Sequence, residues 1–251
     1  MLWLVPHLFP DPRLLEIAGR GLHVPGLRTL LARGTHVIEP CEGTEEALCR
    51  ALGIARQQDW PLAPITLQAD GGEPGEAYWL RADPACFQVM RDRVVLAATG
   101  PADLTRDESD ALAAAIVDHF GDTLPLLAPH PQRWYLRYAA TPDLVTHPPS
   151  LASGCAIDSL LPGGEAAKVL RVAMNELQML LYAHPVNQAR EAHGRLPVNA
   201  LWVWGGGRRP AIPDNPPTVY AHAETARAIA DHCRAPCLAV PATLDTGLFG
   251  K

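Results

Sequence analysis

Residues 201–207 read Leu-Trp-Val-Trp-Gly-Gly-Gly, a bulky apolar strand placed directly against three consecutive glycines. Side chains that alternate along such a strand point to opposite faces, so Trp202 and Trp204 share one face and belong to a core. Glycine tolerates positive φ and close backbone approach, so Gly205, Gly206 and Gly207 mark a place where the chain turns sharply or touches something. Two readings fit: a strand-to-loop turn, or a loop that receives a ligand. The stretch just before it, from His184 to Asn199, carries two His, two Asn and two Arg in sixteen residues. It follows a long apolar-periodic helix that Pro185 stops.

The remainder of the 251 residues alternates helical and strand-like periods, which predicts an α/β fold with a mixed sheet and flanking helices. A short strand is expected at Leu2–Val5, and helices over 26–33 and 45–52. The run Trp60–Asp70 has prolines at its start and β-branched residues after them, and reads as a strand. Tyr78–Arg81 and Arg93–Ala98 read as a strand pair. Thr105 and Glu108 have the spacing of a capping box that opens a helix reaching Phe120. Arg133–Ala139 is a further strand. A helix over 165–183 is expected to bury Val169, Val172, Leu177, Leu180 and Leu181. A helix over 223–232 and a short strand at Cys237–Val240 complete the pattern. Residues 1–58 are taken as an N-terminal α/β segment and 59–251 as the main region, the two able to form one continuous domain.

With 48% hydrophobic residues the chain can build a sizeable core. No apolar run is long enough to span a bilayer, and the opening MLWLVPHLFPDPR lacks a basic region and contains three prolines, so no signal peptide or membrane partner is expected and residence is read as cytoplasmic. A formal charge of −6 argues against nucleic acid as a partner. The Cys233 and Cys237 pair beside His232 has no second pair of the kind a zinc ribbon needs, so the expectation is reduced thiols, no metal and no cofactor.

Convergent arginines are what a small anionic ligand needs, because a guanidinium fork grips a carboxylate or phosphate through two hydrogen bonds. Arg81 beside Asp83, Arg133, and Arg190 are the candidates. His184, Asn187, Arg190 and Asn199 are spaced so that they could meet at the end of the strand whose other terminus is Gly205–Gly207. Each also has a plain structural reading: a His184 cation complements a helix C-terminus, Asn187 caps a turn, and Asn199 bridges backbone groups. No nucleophile elbow, nucleotide loop, dinucleotide fingerprint or HExxH pair is present, and no catalytic residue is singled out.

The motifs YWLRADP, WYLRY, LLPGG and MNELQMLLYAHPVNQAREAHGRLPVNALWVWGGG, within Trp60–Arg209, resemble the RpfE-type regulatory proteins of proteobacteria. More distantly, the order of pieces is similar to the archaeal type of cofactor-independent phosphoglycerate mutase, of the alkaline phosphatase superfamily. The pieces are Arg81 and Asp83, the helix opened by Thr105, Arg133, then His184, Pro185, Asn187, Arg190, Asn199 and Trp204 with its glycines. That resemblance implies a shortened mutase-like fold. The mutases hold two metals on an early Asp-Gly motif and a late Asp-His cluster with a Ser or Thr phosphoacceptor, and the chain shows neither motif; Asp231-His232 is an isolated pair.

The expected function is a non-catalytic or weakly catalytic regulatory-type protein that binds a small phosphorylated or carboxylated metabolite in an arginine-lined cleft. Its ligand set would be Arg81, Asp83, Arg133, His184, Asn187, Arg190, Asn199, Trp204, Gly205, Gly206 and Gly207. One alternative is a metal-dependent phosphoglycerate mutase or phosphatase, and the balance falls against an enzyme. Another is a protein-interaction module anchored by Trp134, Trp202 and Trp204.

Overall fold

The computed structural model describes residues 43–91, 93–152 and 156–239, together with positions 25, 29, 32, 33 and 41. The strand expected at Leu2–Val5 and the helix expected over 26–33, apart from helical positions 29, 32 and 33, lie outside the described residues. Helix α1 (Thr44–Ala51) is followed by α2 (Leu62–Ala69), the long strand β1 (Tyr78–Met90) and β2 (Arg93–Thr99). Then come α3 (Arg106–Phe120), β3 (Leu126–His130), β4 (Arg133–Tyr138) and the single turn α4 (Pro149–Ala152). The last elements are α5 (Ala166–Tyr182), α6 (Pro185–Ala192), β5 (Ala200–Gly207), β6 (Val219–Tyr220), α7 (Glu224–His232) and β7 (Cys237–Leu238).

β1 organises the sheet. Along one edge its first residues pair with β4, Arg81 opposite Tyr135, and its last pair with β2. Along the other edge β5 runs antiparallel to it from Ala200, opposite Ala85, to Gly207, opposite Trp79. β3 extends the sheet beyond β4, all of these pairs are antiparallel, and β6 and β7 form a separate parallel pair. The α/β class and the flanking helices are as expected; among the described residues the five-stranded sheet is antiparallel rather than mixed, and the parallel pairing falls to β6 and β7.

Alternation along β1 and β5 divides the core into two layers. Tyr78, Leu80, Ala82, Leu201 and Val203 face Leu112 and Ile116 of α3 and Leu170 and Leu177 of α5. Ala85, Ala200, Trp202 and Trp204 face Cys49 of α1, Ile65 of α2 and Ile229 of α7. Trp202 and Trp204 do share a face, and Trp134 is fully buried in the other layer.

Three expectations about elements are corrected. Leu62–Ala69 is a helix rather than a strand. Its residues from Leu62 to Leu67 are all buried, so the run shows no helical alternation, and Pro64 falls in the first turn, where an amide hydrogen is not needed. Val169 and Val172 of α5 are both 68% exposed, and the buried stripe is instead Ala167, Leu170, Ala173, Leu177 and Leu181, with small residues taking the sheet-side positions. The three glycines continue β5 instead of ending it: β1 and β5 shift register between Trp79 and Arg81, and Gly205 absorbs the irregularity at φ +68°.

Candidate functional site

Arg81 sits mid-sheet between two aromatic neighbours in register, Tyr135 of β4 and Trp204 of β5. Its guanidinium lies over both rings, 5.6 Å and 5.1 Å from their centroids. Asp83, two residues on and therefore on the same face, accepts from Arg81 Nε at 2.8 Å and from Trp204 Nε1 at 2.7 Å. Both charged residues are buried, and Arg81 Nη1 has no hydrogen-bond partner. Burial pushes the Asp83 carboxyl upward, and the Arg81 charge works against that rise. The group is a closed ion pair in an aromatic sandwich.

Arg133, at the start of β4, is partly buried at the wall of a surface cleft. Its Nε donates to Asp70 Oδ2 at 2.9 Å and its Nη2 to Asp70 Oδ1 at 2.6 Å, a fork that the end of α2 supplies. Tyr135 donates its hydroxyl to Asp70 Oδ2 at 2.5 Å. The remaining Nη1 donates to Glu224, the first residue of α7, whose side chain is 68% exposed. The hydrogen bond from Arg133, then its charge, hold the Glu224 carboxyl below its ordinary value. Asp70, Arg133 and Glu224 line a cleft of about 200 Å³, with Arg227 and Asp231 of α7 on its wall. A second, water-sized space of about 20 Å³ lies beside Trp204, Gly205, Arg56 and Asp59.

Asn187 and Arg190 stand on the opposite side of the sheet, where α6 packs against α3 and α5. Asn187 donates to the carbonyls of Leu181 and Val198 and accepts from Val198 N at 2.8 Å, tying the end of α5 to the entry of β5. Arg190 is fully buried: Nε donates to Leu196 O at 2.8 Å, Nη1 to Glu108 at 2.8 Å and Nη2 to Asp103 at 2.9 Å. Asn199 makes a reciprocal pair with the backbone of Phe87, accepting at 2.8 Å and donating at 2.9 Å. His184 is the N-cap of α6, and its Nδ1 accepts from Val186 N at 3.2 Å. That bond needs an unprotonated nitrogen, and burial lowers the His184 pKa, so the expected cation at the end of α5 is replaced by a neutral cap.

The expected set is therefore divided. Arg81, Asp83 and Trp204 come together with Gly205 beside them, and Arg133 neighbours them through Asp70 and Tyr135. His184, Asn187, Arg190 and Asn199 serve the other face and the start of β5, so the structure does not gather all eleven positions at one site. Gly206 and Gly207 are sterically closed: an added Cβ would meet Tyr78 Oη at 2.3 Å or Pro61 Cα at 2.9 Å. Trp134, Trp202 and Trp204 are each at most 3% exposed, so they are core residues rather than partner anchors. Asp70, Tyr135 and Glu224 were missed by sequence reasoning. Their partners lie as far as 91 residues away in the chain, and no local spacing signals such a pairing. Among the described residues no group of three or more His, Cys, Asp or Glu side chains is placed to hold a metal, and no helix is long and apolar enough to cross a membrane.

No family profile matches the chain. It is 39% identical over 71 residues to the 2,3-bisphosphoglycerate-independent phosphoglycerate mutase of Methanothrix thermoacetophila, a stretch covering 28% of this chain and 18% of that protein. It is 41% identical over 65 residues to a probable mutase of the same description from Geobacter sulfurreducens, covering 26% and 16%. The matched stretches thus span less than a fifth of these curated relatives. The solved cofactor-independent phosphoglycerate mutase of Thermoplasma acidophilum aligns with 83% of this chain and 58% of its own, at 21% identity and a TM-score of 0.44. Over a limited stretch, then, the chain is similar to cofactor-independent phosphoglycerate mutases.

Proposed function

We propose that the chain is a phosphoglycerate-mutase-related protein of RpfE-like, regulatory type that binds a small carboxylated or phosphorylated metabolite without turning it over, in the cleft at Arg133. One observation carries the reading. Of the arginines expected to form the site, Arg133 is the one that lines the open cleft, with Asp70 fixing the plane of its guanidinium. Its Nη1 is held by an exposed glutamate, and exposed ion pairs contribute only about 0–1 kcal/mol, so an incoming oxyanion can take the place of Glu224 at little cost. The local identity to phosphoglycerate mutases supports an acid of that general size.

The test is thermal unfolding of the full chain with 3-phosphoglycerate, glycerate, nucleotides and sugar phosphates, each with and without Mn²⁺. A ligand at 100 times its dissociation constant adds about 2.7 kcal/mol of stability. The expected result is a rise in melting temperature with a small acid, independent of Mn²⁺, and no isomerised or dephosphorylated product. A panel without any stabilising acid would remove the reading. Manganese-dependent turnover of phosphoglycerate would favour the second reading, a mutase or phosphatase, which the local identity also supports and which would draw its metal ligands from beyond the described residues.

A further inference from the structure

The charges on the cleft say more about its occupant than Arg133 does alone. Arg133 is already matched by Asp70 and Glu224. Arg227 and Asp231 lie one helical turn apart on α7, a spacing at which opposite charges commonly pair. Here they do not pair. Arg227 Nε reaches only the Ala221 carbonyl, at 3.4 Å, and the Asp231 carboxylate has no hydrogen bond or ion pair among the described residues. The same cleft is therefore fronted by a guanidinium without a carboxylate and a carboxylate without a cation.

Counted over its lining, the cleft has two guanidinium groups against three carboxylates. A ligand that brings only negative charge meets a wall already net negative. A ligand with an acid at one end and a protonated amine at the other matches both free groups. Building on the proposed function, we infer that the ligand is a zwitterionic amino acid, its carboxylate directed to Arg227 and Arg133 and its ammonium to Asp231. The cleft's volume of about 200 Å³ suits a small one.

Matched pairs of probes isolate the amine. L-Serine and glycerate share a three-carbon skeleton and differ by an ammonium in place of a hydroxyl, as do O-phosphoserine and 3-phosphoglycerate. Titrated into the full chain by calorimetry, the amine member of each pair binds at least about fivefold tighter, the scale of a partly exposed charge pair. Asp231→Asn, at an exposed position, brings each ratio within about twofold of unity by weakening the amine members and does not weaken the hydroxy acids, while Arg227→Gln weakens all four probes. Hydroxy acids that bind as tightly as their amine partners overturn this inference and leave the anion-binding reading standing. Absence of binding by all four overturns this inference, and the anion-binding reading falls with it when the wider panel of acids also fails to stabilise the chain.

Discussion

A buried arginine is held by its partners, and its loss is felt wherever they are left unmatched. Arg190 donates to a carbonyl and to two carboxylates from inside the fold. Removing one member of such a group leaves polar atoms without partners, so Arg190→Ala should cost about 3 kcal/mol of stability. Arg190→Lys keeps the charge but not the fork, and should cost about half as much. Urea unfolding of the three proteins measures the order. The carboxylates add a pH signature. The hydrogen bond from Arg190, against some burial, lowers the Asp103 carboxyl; at Glu108 burial raises it, but the Thr105 amide and the Arg190 and Arg195 charges outweigh that and lower it. A carboxyl depressed in the folded state contributes stability above its unfolded value, near pH 4, and loses it as pH falls through the lower folded value. The stability gap between the native chain and Arg190→Gln should accordingly shrink between about pH 5 and pH 3; a gap constant over that window would mean the carboxylates do not depend on Arg190. Arg190 was legible in the sequence as an important arginine, but not as an internal brace. A guanidinium suits a ligand carboxylate and a protein carboxylate equally well, and only burial tells them apart.

Elements with a local chemical signal were the legible ones. Thr105 and Glu108 form both bonds of the capping box, and α3 ends at Phe120 as its periodicity indicates. Thr105→Ala should lower stability by about 1 kcal/mol, read as a shift in the urea midpoint with unchanged slope. Where burial surrounds an element, the signal vanishes: α2 has no exposed side before Gln68, so its apolar run carried no period to distinguish helix from strand. On α5 the misleading signal was size. Valines at 169 and 172 looked like core, whereas the smaller Ala167 and Ala173 take buried positions beside Leu170 and Leu177. Val169→Lys should therefore change the melting temperature by no more than about 2 °C, the scale of an exposed substitution. The glycines of β5 make the contrary case: at Gly206 an added Cβ would also meet Leu80 Cδ2 at 2.7 Å, so Gly206→Ala should cost about 1–3 kcal/mol through overpacking.

At the scale of the whole molecule, the sheet is one body seen by two cores. β1 and β5 each contribute to both layers, so neither layer can lose its strands without stripping the other. The segment 43–58, assigned by sequence to an N-terminal unit, places Cys49, Leu52 and Ile54 in the layer of Trp202 and Ile229. Burial there pushes the Cys49 thiol up to about 12, which keeps it in the neutral form that a core admits. Shared strands predict cooperative unfolding. Leu177→Ala empties a fully buried site in the α3 and α5 layer, and Ile65→Ala does the same beside α7; each should cost about 2–5 kcal/mol. If the layers unfold together, each substitution lowers the urea midpoint by the same amount whether followed by far-UV circular dichroism or by tryptophan fluorescence. Trp134 reports from one layer and Trp202 and Trp204 from the other, so single-reporter variants separate the signals. A Leu177→Ala protein in which Trp134 responds before Trp202 and Trp204 would show that the layers part, and that β1 and β5 join them too weakly to transmit the loss.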